Sequence, residues 1–225
     1  MIRKLSMNSL QRQHFNNQAN RYDTRRIVNP PAYIQRELHE IHRALSLPIG
    51  SHIIDFGSGN GRLTLYFLSL GYHVMAIDIS RSSLQELTAL YKQYKTPSWG
   101  SLTTRTTLPQ TPSVNGIIGA DILHHVDMPT VLPLLRHALR PNGTMVFSEP
   151  NGRNILWYIF LILKRLPWSI ERGIVHCTYN NLQVQFTQAS FCNIRILPYG
   201  FSEFRLIVSA QKRGRRLLLS PLHHP

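Results

Sequence analysis

Ile53-Ile54-Asp55-Phe56-Gly57-Ser58-Gly59-Asn60-Gly61-Arg62 decides the fold of this chain. Two β-branched residues and an acid run into glycines at three alternate positions. Behind them, Leu63-Thr64-Leu65-Tyr66-Phe67-Leu68 has the apolar content of a helix. The pattern predicts a buried strand, a tight turn and a helix start. Glycine in such a turn lets the backbone come within contact distance of a ligand, and the helix N-terminus offers unpaired N–H groups. Asp78 follows Gly57 by 21 residues, at the end of a second apolar run, Val74-Met75-Ala76-Ile77. An acid at this distance and at a strand's C-terminal end is placed to accept hydrogen bonds from ribose hydroxyls, so the expected ligand carries a nucleoside.

A dinucleotide fingerprint would need a glycine at position 62, where the chain has Arg62. Asp55, two residues before the first glycine, is unfavourable for a pyrophosphate and suits a ligand with an ammonium group. The D-x-G-x-G-x-G run followed by Asp78 resembles the S-adenosylmethionine site of the class I methyltransferases. The plain alternative is an ordinary glycine-rich strand-to-helix turn.

The bulk properties are those of one globular α/β domain. The chain has 225 residues, 43% apolar and 16% charged, enough to bury a sizeable core. A net charge of +14 gives a surface that attracts anions: nucleic acid, anionic lipid or an acidic protein. Two cysteines, Cys177 and Cys192, have no metal-ligand spacing and point to a reducing compartment, so a cytoplasmic location is expected and no metal. Met1 to Asn8 lead into no apolar run of signal-peptide length. The longest apolar stretch, Ile155 to Leu163, is too short to span a bilayer, which needs about 20 residues.

Strands and helices alternate along the chain. Pro30-Pro31 opens a predicted helix through Leu45, with Ile34, Leu38, Ile41 and Leu45 on one face. Strands are expected at Ile53–Phe56, His73–Ile77, Ser101–Thr104, Gly116–Ala120 and Thr144–Phe147, the last entered through a turn at Pro141-Asn142-Gly143. Helices are expected from Leu63 to about Gly71, from a Ser80 cap to Tyr94, from Pro129 to Leu139 and from Leu182 to Ala189. Ile194–Leu197 and Phe204–Ala210 read as a closing antiparallel pair. This order predicts a Rossmann-like, mostly parallel sheet with helices on both faces. The family resemblance makes it seven-stranded with its last strand antiparallel. The expected divisions are a lid and helix over residues 1–45, the main domain over 46–212 with an insertion at 151–180, and a basic then apolar tail over 213–225.

The resemblance assigns roles to positions. Asp55 would sit below the methionine end of the cofactor, Gly57, Ser58 and Gly59 would give close backbone approach, and Gly61 tight helix packing. Asp78 would hold the ribose, although an acid there could also cap the next helix, and Ile79 would wall the adenine. Thr104-Arg105-Thr106-Thr107-Leu108-Pro109 keeps the family's Leu-Pro but has Thr104 where an acid belongs at the adenine edge. Thr104 and the Arg105 N–H are then the adenine contacts, with Ala120 and Tyr22 completing the cofactor set. Asn115 stands where the family often has Asp. His14-Phe15-Asn16-Asn17-Gln18-Ala19-Asn20-Arg21-Tyr22-Asp23 resembles the family's entry segment, which makes Phe15 and Tyr22 lid candidates.

Ala120-Asp121-Ile122-Leu123-His124-His125-Val126 resembles the small-molecule branch typified by ubiquinone- and menaquinone-biosynthesis methyltransferases. Leu139 to Asn151, with Glu149-Pro150-Asn151 at its end, resembles that branch's strand five. His125 is the first candidate to deprotonate or orient an acceptor hydroxyl, because imidazole titrates near neutrality. His124 is second, and Glu149 is a third candidate base or a carboxylate holding the insertion. A capping or packing role for the histidines is the alternative, since positioning alone carries much of such catalysis. Asn29-Pro30-Pro31-Ala32-Tyr33 only echoes the N-P-P-Y of nitrogen-methylating enzymes, because that motif belongs after strand four.

Residues 154–168 are nearly all apolar with a basic end and aromatic flanks. They are expected to form a helix over the acceptor pocket, with a peripheral membrane contact. The resemblance thus implies an S-adenosylmethionine-dependent methyltransferase of a small or lipid-like acceptor, on oxygen or carbon. RNA or protein methylation, and a catalytically weak binding protein of the same fold, are the alternatives.

Overall fold

A computed structural model describes residues 27–214. Phe15, Tyr22 and the tail beyond Gly214 lie outside the described residues. The sheet has seven strands: β1 His52–Phe56, β2 His73–Ile77, β3 Leu102–Arg105, β4 Val114–Ala120, β5 Leu139–Pro150, β6 Phe191–Tyr199 and β7 Arg205–Lys212. Their order is β3-β2-β1-β4-β5-β7-β6. β7 runs antiparallel to both β5 and β6, and the other pairings are parallel. The helices are α1 Ala32–Leu45, α2 Arg62–Ser69, α3 Arg81–Tyr94, α4 Met128–Ala138, α5 Ile155–Leu163, α6 Trp168–Glu171 and α7 Tyr179–Gln188.

Consecutive strand residues point to opposite faces, and here both faces are apolar. Ile54, Ile117, Met145 and Val208 join the core that α4 and α7 cover. Their neighbours Ile53, Ile118, Val146 and Ile207 join the core under α1, α2 and α3. That doubly covered sheet is why the central strands read as continuous apolar runs. Full burial of one such side chain stabilises by about 1.5–3 kcal/mol.

Several boundaries differ from the sequence reading, three of them with a clear local cause. The Pro141-Asn142-Gly143 turn lies inside β5, as a loop where the β4–β5 register slips between Val114 and Gly116, and Asn142 adopts φ 63°. α7 begins three residues early because the Thr178 hydroxyl caps it, accepting from Asn181 N–H. The single helix expected over 154–168 is two. α5 ends at Leu163, Arg165 turns left-handed at φ 52°, and α6 starts after Pro167, whose ring cannot continue a helix from the residue before it. A third apolar cluster, Trp157, Leu161 and Ile174, packs this segment onto the domain.

Candidate active site

The loops at the C-terminal ends of β1, β2, β4 and β5 open onto one cavity of about 830 Å³, the usual place for a ligand in a sheet of this kind. Its floor is the β1–α2 loop. Gly57 and Ser58 donate their N–H groups to the Ile77 carbonyl, at 2.8 and 3.1 Å, which holds the loop against the end of β2. Gly59 has φ 50°, and a Cβ built on it meets nothing within 4 Å. The loop there faces open cavity, with room for a ligand to approach the backbone. The buried Ser58 hydroxyl has no hydrogen-bond partner among the described residues. The uncluttered backbone at Gly59, on the same cavity as the Asp78 carboxylate, fits a polar ligand such as S-adenosylmethionine.

Asp78 lines the same wall. It accepts from Gly59 N–H and Ser80 N–H, each at 2.8 Å, and burial raises its carboxyl above the ordinary range. Ser80, not Asp78, caps α3, accepting from Ser83 N–H. Ile79 and Ala120 also reach the cavity, and Gly61 packs against Leu87.

Three positions expected to contact the cofactor lie elsewhere. Asp55 is 1% exposed behind the loop, where its Oδ2 accepts from the Thr64 hydroxyl at 2.6 Å. Burial pushes its carboxyl up to about 7 against the pull of that bond and of Arg62. Thr104 and Arg105 are off the cavity wall. Their register sets them opposite Ala76 and Ile77, short of the strand end where Asp78 and Ile79 face inward. Arg105 contributes its carbonyl, accepting from Asp78 N–H at 3.2 Å.

At the far side, a 3₁₀ turn, Leu123–His125, brings both histidines to the cavity. Glu149 does not reach it. It is fully buried, and its Oε1 accepts from the Ile122 and Leu123 N–H groups at 2.9 and 2.8 Å. Its Oε2 stands 2.7 Å from His124 Nδ1, and Glu171 Oε2 stands 3.4 Å from His124 Nε2. Burial alone would lower the His124 pKa, but the two carboxylates overcome it and raise it to about 9. Burial and that neighbouring charge push His125 down to about 4, so at neutral pH it is an uncharged imidazole and a weak base. Cys177 adds its buried thiol beside Glu149. Donor atoms of His124, His125 and Glu171, and of His124, Glu149 and Cys177, lie within 4.8 Å of one another, but both His124 nitrogens are taken by carboxylates.

The sequence reading missed Glu171, Asp121 and Arg62. Asp121 sits at φ 56°, a strained conformation common at functional sites. Arg205 and Arg62 grip it at 2.7 and 3.1 Å. Burial would raise its carboxyl, and the two guanidinium groups hold it well below the usual range. Both arginines also pair with buried Glu37 on α1, at 2.9 and 3.3 Å. One signal was present: Glu171 is the sole acid between residues 151 and 180.

The cavity roof is apolar: Trp157, Phe160 and Leu161 from α5, with Leu166 and Ile174. Trp157 stacks on Phe204 with ring centroids 4.1 Å apart and bonds its carbonyl through Nε1.

Known proteins share this fold and family. A family profile described as a methyltransferase domain matches residues 29–194. A ubiquinone biosynthesis O-methyltransferase of Paraburkholderia xenovorans (strain LB400) is 28% identical over 118 residues, 51% of this chain and 50% of that protein. The matched stretch is thus about half the length of that curated relative. A SAM-dependent methyltransferase from Aquifex aeolicus superposes with a TM-score of 0.62 at 14% identity, over 88% of this chain and 98% of that one. The CurJ carbon methyltransferase gives 0.62 at 15%, over 91% and 67%. At such identities the two structures speak for the fold alone, and that fold is the expected Rossmann-like sheet. With the profile matched over most of its length, the chain belongs to the methyltransferase-domain family.

Proposed function

We propose that the chain transfers a methyl group from S-adenosylmethionine to a small, largely apolar acceptor, on oxygen or carbon. When bound, the cofactor supplies an electrophilic methyl on its sulfonium. Gly57, Ser58, Gly59 and Asp78 would hold it. What remains for the protein is to align the acceptor and exclude water. One observation carries the choice of acceptor: the cavity that the glycine loop lines is also lined by the apolar Trp157, Phe160, Leu161 and Leu166 and by the polar His124, His125 and Glu171. An apolar body fits against the first set, with its reacting group at the second. His125, held neutral, orients that group and is too weak a base to strip a hydroxyl proton unaided.

The same roof helix supports a peripheral contact with an anionic membrane from the cytoplasmic side. Ile155, Ile159, Ile162 and Leu163 form an outward apolar stripe, with Lys164 and Arg165 exposed at its end. Among the described residues no helix is long and apolar enough to cross a membrane. The test is S-adenosylhomocysteine formation from S-adenosylmethionine with alkylphenols, alkyl enols and, as the competing class, total RNA. Turnover with RNA but with no apolar acceptor would overturn the reading.

A further inference from the structure

Glu171 closes α6, in the segment that roofs the cavity. Across from it, Glu149 is sealed at 0% exposure and spends Oε1 on two backbone N–H groups. Between them His124 meets a carboxylate at each ring nitrogen. An imidazole can donate to both only as the imidazolium, and its raised pKa agrees. Two carboxylates and one cation leave one negative charge, and of the two carboxylates only Glu171 reaches the cavity wall. The charge therefore lies where an acceptor would present its reacting group.

Backbone packing fixes that placement. The turn Arg172–His176 follows α6 directly, and a Cβ built on Gly173 would fall 1.7 Å from the His124 carbonyl oxygen. The roof segment thus touches the histidine turn backbone to backbone, and Glu171 is held by more than its own flexible side chain. Its side chain is 16% exposed, so solvent screens it weakly.

We propose that Glu171 selects the acceptor: its carboxylate takes a hydrogen bond from the acceptor's reacting hydroxyl and excludes acceptors whose reacting end is anionic. This rests on reading the cavity as a methyl-acceptor site. A hydroxyl satisfies a partly buried carboxylate, whereas an acceptor carboxylate in its place meets a like charge at low dielectric. Discrimination of this kind is strong because the wrong ligand leaves a buried polar group unpaired or repelled.

Calorimetry on the full chain saturated with S-adenosylhomocysteine tests it, with 4-hexylphenol and 4-hexylbenzoate as probes of equal tail and different head. The wild type should bind the phenol at least about tenfold more tightly, the size of one hydrogen bond to a charged group. Glu171→Gln, nearly isosteric, should shrink that preference to within about threefold, chiefly by admitting the benzoate. S-adenosylhomocysteine affinity should not move. An unchanged preference in the variant overturns the proposal. So does an equal loss for both probes, which would make Glu171 only a brace for the roof. Wild-type protein that binds S-adenosylhomocysteine but neither probe also overturns it. Wild-type protein that binds no S-adenosylhomocysteine overturns the methyltransferase reading, and this inference with it.

Discussion

Replacing Asp55 with Asn should stabilise the protein above neutral pH. The carboxyl is 1% exposed; Oδ2 accepts from the Thr64 hydroxyl, and Oδ1 has no hydrogen-bond partner among the described residues. Burial lifts its pKa from an ordinary 3.8 to about 7. An acid whose folded pKa is raised contributes stability that is fully present below its unfolded pKa, near 4, and is lost as pH rises through 7. At about 1.4 kcal/mol per pH unit, the whole loss is roughly 4 kcal/mol, and the part falling between pH 5 and pH 8 is about 2–3 kcal/mol. Asn keeps the acceptor for Thr64 and carries no charge, but it adds an amide whose unmet N–H groups cost about 1–3 kcal/mol at every pH. The constant cost cancels when two pH values are compared. Urea unfolding of wild type and Asp55→Asn at pH 5 and pH 8 should therefore show the gap moving by about 2–3 kcal/mol in the variant's favour at the higher pH. His124 and His125 titrate in both proteins and drop out of the difference. A gap that stays constant would refute the reasoning. Since Asp55 does not line the cavity, S-adenosylhomocysteine affinity should stay unchanged; a clear loss would return Asp55 to the cofactor.

Gly59→Ala should cost about 1–2 kcal/mol of stability for its left-handed backbone, yet abolish S-adenosylmethionine binding, because its methyl group projects into open cavity; thermal unfolding and calorimetry read the two effects apart. Asp78→Ala should weaken cofactor binding by about 1–2 kcal/mol, and calorimetry finding equal affinity would remove it from the ribose site. The double variant Ile162→Glu, Leu163→Glu should lose flotation with anionic liposomes at low salt, as the wild type should at high salt, where exposed charges are screened.

The cofactor side of the proposed site rests on requirements that are local. Glycines at 57, 59 and 61 and an acid at 78 encode backbone approach and a strand end, and both survive as spacing. The acceptor side was not legible in the sequence, because its logic is long-range. Glu149 reads as a free base until the fold spends its oxygens on Ile122 and Leu123, and Glu171 has no meaning until it meets His124, 47 positions upstream. Thr104 stands off the cavity for another reason: a motif fixes sequence distance to a proline, whereas register with β2 sets how far along the sheet a side chain stands. The split between α5 and α6 was legible at Pro167, but an unbroken apolar run outweighed it.

Arg205 has a consequence for how the chain is made. Glu37 and Asp121 share it with Arg62, yet it stands 168 positions after Glu37, on a strand inserted between β5 and β6. While the ribosome has released only the first five strands, two carboxylates compete for one cation, and the long edge of β5 is bare. The sheet and its charge pairing are thus complete only once β7 is in place, and a product stopped before Arg205 would present unneutralised charge and an open sheet edge, features that chaperones and proteases act upon.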